Sequence, residues 1–156
     1  MTTPPSVTGP YLGPDEPLAR LESLVPMAAE LLRRDGRHFT MAQLRRPDGS
    51  WELLDVDRAG GWQAVADIVR ESSCDAVIAV AEARAHRASP AEPGPGDEVL
   101  LFALAEAPDR VLVRLLPFRR EPGRVVTDDG PQEGEALLGA AFLEPVLSVW
   151  RGEQGR

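Results

Sequence analysis

The residues that could act as an acid, a base or a nucleophile in this chain are few. Three of them fall in one segment, CDAVIAVAEARAHR, which contains Cys74, Glu82 and His86. The chain has a single cysteine and only one other histidine, His38. We therefore take Glu82, His86, His38 and Cys74 as the candidate catalytic residues.

The spacing of Glu82 and His86 decides whether they could share a metal ion. On a helix, residues four apart lie on one face, but the run of valine, isoleucine and alanine before Glu82 favours a strand. Four residues of strand span about 13 Å, which is too far for one ion. We predict no metal site, and we interpret Glu82 as a strand carboxylate paired with an arginine such as Arg114.

The sequence contains few features that would support nucleophilic catalysis or the binding of a cofactor. Cys74 follows a predicted helix C-terminus and precedes Asp75, and both neighbours raise the pKa of a thiol. The chain has no GxSxG motif. It also contains no lysine and no asparagine, which excludes Schiff-base lysines and the lysine of a phosphate-binding loop. We predict a structural cysteine and no cofactor.

Arginines near one predicted strand end offer a possible ligand site. The planar guanidinium groups of Arg114, Arg119 and Arg120 could bind a carboxylate or a phosphate group. Glu121 lies among them, which is also typical of a solvated strand end. The formal net charge of −8 opposes the phosphate backbone, so we predict no binding to nucleic acid.

Composition also predicts a location. One cysteine excludes an internal disulfide framework, and the N-terminus lacks the basic and apolar regions of a secretory signal. No stretch reaches the roughly 18 apolar residues that span a bilayer. We expect a cytoplasmic protein that does not associate with membranes.

Local patterns predict the elements. A helix capped by Asp15 ends at Gly36, and Pro26 should bend or restart it. Pro47 to Ser50 predicts a hairpin turn. A second helix spans 60–72, and strands span about 75–84, 98–106 and 111–119. An acidic loop covers 125–133, and a helix covers 135–150.

The order of elements is therefore helix, two strands, helix, three strands and helix. This order predicts an α+β fold with a mostly antiparallel sheet of about five strands. We assign 1–14 as a flexible proline-rich tail, 15–150 as one domain, and 151–156 as a flexible end.

The predicted sheet has apolar residues on both faces, so both faces must be covered. We expect the helices at 60–72 and 135–150 to cover one face each, or a second protomer to cover part. The predicted interface residues are Trp150, Phe142 and Val146.

The order of elements from about 16 to 150 resembles the roadblock/longin type of α+β domain, a family that implies homodimers regulating or scaffolding small GTPases and motors. The strand segments DAVIAVAEAR, DEVLLFALAE and LLPFRRE are similar to stretches of small uncharacterised bacterial proteins. We expect a non-catalytic binding, scaffolding or regulatory module that binds a protein partner or itself. The alternatives are a small enzyme or ligand-binding protein with a cleft near Glu82 and Arg114, and an immunity or antitoxin-like partner of a basic protein.

Overall fold

The computed structural model describes residues 13–85, 97–127, 132–134 and 141–152, which form four helices, one 3-10 turn (Ala141–Leu143) and seven strands. The helices are α1 (Pro17–Asp35), α2 (Val56–Ala59), α3 (Trp62–Ser72) and α4 (Glu144–Trp150). The strands are β1 (Met41–Arg45), β2 (Trp51–Asp55), β3 (Ala76–Ala85), β4 (Asp97–Glu106), β5 (Arg110–Glu121), β6 (Arg124–Thr127) and β7 (Gln132–Gly134). The predicted α+β class is confirmed.

The strands form one antiparallel sheet in the order β2-β1-β3-β4-β5-β6, and β7 pairs with β5. The predicted count of about five strands is too low, because β6 and β7 lie in the segment predicted to be an acidic loop. A turn at Gly123, with φ of 77°, places Arg124 opposite Glu121. The apolar pair Val125 and Val126 then continues the hairpin that β5 began.

Helices cover both faces of the sheet, but not as the sequence predicted. Both α3 and α4 pack on the face that carries Val77 and Ala79, and α1 covers the opposite face, which carries Ile78 and Phe102. We call these the α3/α4 face and the α1 face. Small alanines on the α3/α4 face let two helices approach closely. The chain's own helices therefore cover both apolar faces.

Helix α1 differs from its prediction at the N-cap, and of the bend or restart predicted at Pro26 it shows no restart. Its N-cap is Glu16 rather than Asp15, and the Glu16 carboxylate accepts the backbone N–H groups of Leu18 and Ala19. The helix also runs through Pro26 without a restart. Pro26 is exposed, so the carbonyl that loses its hydrogen bond lies on the solvent side of the helix. The predicted end at Gly36 is confirmed, with φ of 78°.

The β1–β2 hairpin is confirmed. The backbone N–H of Arg46 donates to the carbonyl of Ser50 (2.8 Å), and Gly49 adopts a positive φ of 88° in the turn. None of the helices in the described ranges is long and apolar enough to cross a lipid bilayer.

Candidate functional site

Glu82 lies in the C-terminal half of β3, on the α1 face beyond the last buried residues. The strand predicted there is confirmed. In the sheet register Glu82 lies opposite Leu100 of β4, which in turn lies opposite Leu116 of β5. The end of α1 and the segment that leads into β1 cover this corner of the sheet.

Both oxygens of the Glu82 carboxylate accept hydrogen bonds. Arg120 Nη2 donates to Glu82 Oε1 (2.6 Å), and the backbone N–H of His38 donates to Glu82 Oε2 (2.7 Å). Arg120 also donates through Nε to Glu98 Oε1 (3.2 Å) and through Nη1 to the carbonyl of Gly36. We call these five residues the Glu82 clamp. It connects the ends of β3, β4 and β5 to the segment between α1 and β1.

Arg120, not Arg114, is the arginine that pairs with Glu82, which corrects the prediction. Arg114 lies opposite Phe102, which is fully buried, further along the sheet from the clamp. Its Nη1 donates to the carbonyl of Val113 (3.4 Å). Arg120 lies at the strand end where two carboxylates and a helix-terminal carbonyl converge, so its planar fork can use all three acceptors.

His38 contributes its backbone, not its ring, to the clamp. The ring is buried, stacks on Phe39 with centroids 5.1 Å apart, and holds Nδ1 2.7 Å from the Phe39 carbonyl oxygen. Burial lowers the pKa of His38, although the Phe39 carbonyl and the charge of Glu82 act in the opposite direction. A neutral imidazole held in this way is a structural group at neutral pH. His86 lies outside the described residues.

Cys74 is buried just after α3. Burial raises the pKa of its thiol, and the charges of Glu52 and Asp75 act in the same direction against that of Arg46. Its backbone carbonyl accepts the indole N–H of Trp150 (2.9 Å). A protonated, enclosed thiol is a poor nucleophile.

The side chains of Arg119 and Arg120 lie on opposite faces of the sheet, because successive side chains of a strand point to opposite faces. Arg119 donates to Glu121 (3.1 Å), which also accepts a hydrogen bond from Arg124 (3.1 Å). These two hydrogen bonds lower the pKa of the partly exposed Glu121 carboxyl group, and the bond from Arg119 has the larger effect. Arg114, Arg119 and Arg120 therefore do not converge on one ligand site.

The predicted interface residues lie at the C-terminal end of the described chain. Val146 is fully buried against the α3/α4 face. Phe142 and Trp150 are partly exposed; Phe142 contacts Trp62 with ring centroids 4.9 Å apart. All three residues help to attach α4 to the chain's own core, and an interface role for them stays a prediction.

The structure contains one buried polar pair that the sequence did not predict. Arg20 of α1 is buried and donates through Nε to Gln43 Oε1 of β1 (2.5 Å), with its guanidinium 4.8 Å from the ring centroid of Trp51. Its Nη1 donates to the carbonyls of Gly13 and Pro14. Burial lowers the pKa of Arg20, although the charge of Asp15 acts in the opposite direction. The only sequence signal is Gln43 itself, a polar residue on the inward face of an apolar strand.

Within the described ranges, no group of three or more His, Cys, Asp or Glu residues is arranged to hold a metal ion. No protein-family model, no curated protein and no solved structure matches the chain.

Proposed function

We propose that this chain is a non-catalytic protein-binding module that pairs with a second copy of itself. The observation that carries the non-catalytic part is the geometry of Glu82, whose two oxygens each accept one hydrogen bond, from Arg120 and from the backbone of His38. Both donors belong to the chain itself, so they hold the carboxylate in place where three strands and the segment after α1 meet. This geometry supports a structural role for Glu82 at a junction of strands.

The surface that supports self-association is the outer edge of β2. This strand ends the sheet, pairs with β1 without interruption, and contains neither proline nor glycine. The N–H of Val56 donates to the carbonyl of Thr40 (2.9 Å). Because hydrogen-bonded pairs alternate in an antiparallel ladder, the backbone of Leu54 faces β1, and that of Leu53 faces outward.

The outward groups of β2 suit a two-fold partner. If the β2 strands of two copies pair in an antiparallel way and are centred on Leu53, Leu53 of one copy lies opposite Leu53 of the other. Trp51 of one copy then lies opposite Asp55 of the other, and the backbone groups of these residues come within hydrogen-bonding reach. In this register Glu52 lies opposite Leu54 of the copy, so like charges do not meet directly. Arg46 already pairs with Glu52 in each chain. The result would be one continuous sheet across two protomers.

Sedimentation velocity of the full chain, from low to high micromolar concentration, tests this proposal. We expect a concentration-dependent dimer for the unchanged protein and for Leu53→Ile. Leu53→Pro should be a monomer that keeps its fold, because the lost N–H points away from β1. If Leu53→Pro unfolds, Leu53→Lys gives a second test, since it places two ammonium groups opposite each other. A monomer at every concentration, or a dimer that survives both changes, contradicts the proposal.

A further inference from the structure

Residues of opposite charge flank β2. Asp48 lies in the turn that precedes the strand, and Arg58 lies in α2, which follows it. Each is five residues from Leu53, Asp48 before it and Arg58 after it. Arg58 is the one cation of the segment 48–61. The edge that we propose for self-association therefore has a carboxylate at one end and a guanidinium at the other.

The Arg58 side chain points away from the core. Val56, two residues earlier in α2, is buried on the α3/α4 face, and residues two apart lie on nearly opposite sides of a helix. The Arg58 side chain is 89% exposed. Its Nε lies 3.9 Å from Asp55 Oδ2, and this contact is too long for a hydrogen bond. The guanidinium can therefore bind a carboxylate with two parallel hydrogen bonds.

The Asp48 carboxylate is exposed and uses one of its oxygens within the turn. Oδ1 accepts the backbone N–H of Ser50 (2.9 Å) and the Ser50 hydroxyl group (2.6 Å). These bonds lower the pKa of the Asp48 carboxyl group, and the bond from the hydroxyl group has the larger effect. The group is therefore charged at neutral pH. Oδ2 takes part in neither bond and can accept a donor from another molecule.

The antiparallel register centred on Leu53 brings these two charges together. Each step from Leu53 along one copy is matched by one step in the opposite direction along the other. Asp48 of one copy therefore comes level with Arg58 of the other, and the two-fold axis repeats the pair at the other end. Neither residue belongs to the paired strands, so their side chains must make the contact. Asp57 comes level with Gly49, so this carboxylate does not meet a charge directly.

We propose that Arg58 of each copy binds Asp48 of the other, and that these two ion pairs select a second copy as the partner of β2. The inference rests on the self-association proposed above. Another edge strand could supply the backbone hydrogen bonds, but only a partner with a carboxylate and a cation at this spacing satisfies both ends. Two chains of charge −8 repel each other as a whole, but physiological salt screens charges more than about 8 Å apart. The charges beside the paired strands therefore have the larger effect on the register.

Charge reversal, measured by sedimentation velocity of the full chain, tests this inference. In a symmetric dimer, Arg58→Glu or Asp48→Arg replaces two attractions with two repulsions. Each variant alone should therefore dimerise about tenfold more weakly than the unchanged protein. An equimolar mixture of the two variants should regain most of the lost affinity. In the mixed dimer, one end pairs the two introduced charges and the other end pairs the two native ones.

Asp48→Arg also separates the local ion pair from the overall charge. This change makes the chain less acidic, which by itself favours association of two copies. A weaker dimer then reflects either the lost pair or a damaged turn, and the mixture distinguishes them because mixing does not repair a turn. Arg110→Glu is the matched control for Arg58→Glu. It reverses an exposed cation on β5, which three strands separate from β2, and should leave the dimer unchanged.

Three results would overturn the inference while the unchanged protein still dimerises through β2. They are a dimer that neither reversal weakens, a mixture that is no stronger than the variants alone, and an equal loss in Arg110→Glu. An unchanged protein that is monomeric at every concentration overturns both this inference and the self-association on which it rests.

Discussion

Arg120 donates to Glu82 across 2.6 Å, although the two residues belong to strands that are separated by β4. The same guanidinium reaches Glu98 on the strand between them. One side chain therefore links three neighbouring strands at one end of the sheet. The candidate catalytic carboxylate is part of this link.

Replacing Glu82 with glutamine should destabilise the fold. The amide oxygen can still accept the His38 N–H, but the charge pairing with Arg120 is lost. Since the Glu82 side chain is 26% exposed, we expect a loss of about 1–2 kcal/mol in the free energy of unfolding. Urea denaturation measures it. Glu98→Gln, which affects one bond of Arg120, is the control and should cost less. Equal stability of Glu82→Gln and the unchanged protein would argue against a structural clamp.

The stability should depend on pH through His38. Burial lowers its pKa below the ordinary 6.5, so the unfolded chain binds a proton first as the pH falls. The free energy of unfolding should be highest above about pH 6.5 and decrease as the pH falls toward the folded pKa. Urea denaturation at a series of pH values measures this slope.

The control for the pH series uses the two histidines of the chain. His38→Gln should flatten the slope between about pH 5 and 6.5, and His86→Gln should retain it. Carboxyl groups with lowered pKa values, such as Glu16 and Glu121, contribute at lower pH because their ordinary value is 4.5. A slope that persists in His38→Gln would show that other groups control this range.

The buried pair of Arg20 and Gln43 should be strongly coupled. Gln43→Leu removes the acceptor of a buried guanidinium and should cost about 2–3 kcal/mol. Arg20→Met alone removes the group that donates to Gln43 Oε1 and should also destabilise the fold. The double variant replaces both polar groups with apolar ones and should recover much of the loss. Chemical denaturation of all four proteins forms the cycle; additive losses would contradict the coupling.

Local patterns were sufficient to predict the elements that short-range chemistry controls. The hairpin around Pro47 to Ser50 depends on turn residues that act within four positions. The end of α1 at Gly36 depends on one left-handed residue. The strand nature of Glu82 followed from the β-branched run before it. Each of these predictions needs no knowledge of distant residues.

Contacts distant in sequence were harder to predict. The choice of Arg120 over Arg114 depends on where the end of α1 meets the sheet, since the Gly36 carbonyl is one of its acceptors. The placement of α1 opposite α3 and α4 depends on the complete strand order. The pairing of Arg20 with Gln43 likewise arises only after α1 has docked. Sequence periodicity specifies which side of an element is apolar, but not which element it meets.

Amide hydrogen exchange at β2 tests self-association most directly. In a lone protomer the N–H of Leu53 faces solvent, and that of Leu54 donates to β1. We predict that the Leu53 amide exchanges fast in dilute solution and becomes protected as the protein concentration rises. The Leu54 amide should stay protected throughout, which makes it the internal control. If the Leu53 amide exchanges fast at every concentration while Leu54 stays protected, pairing through β2 is contradicted.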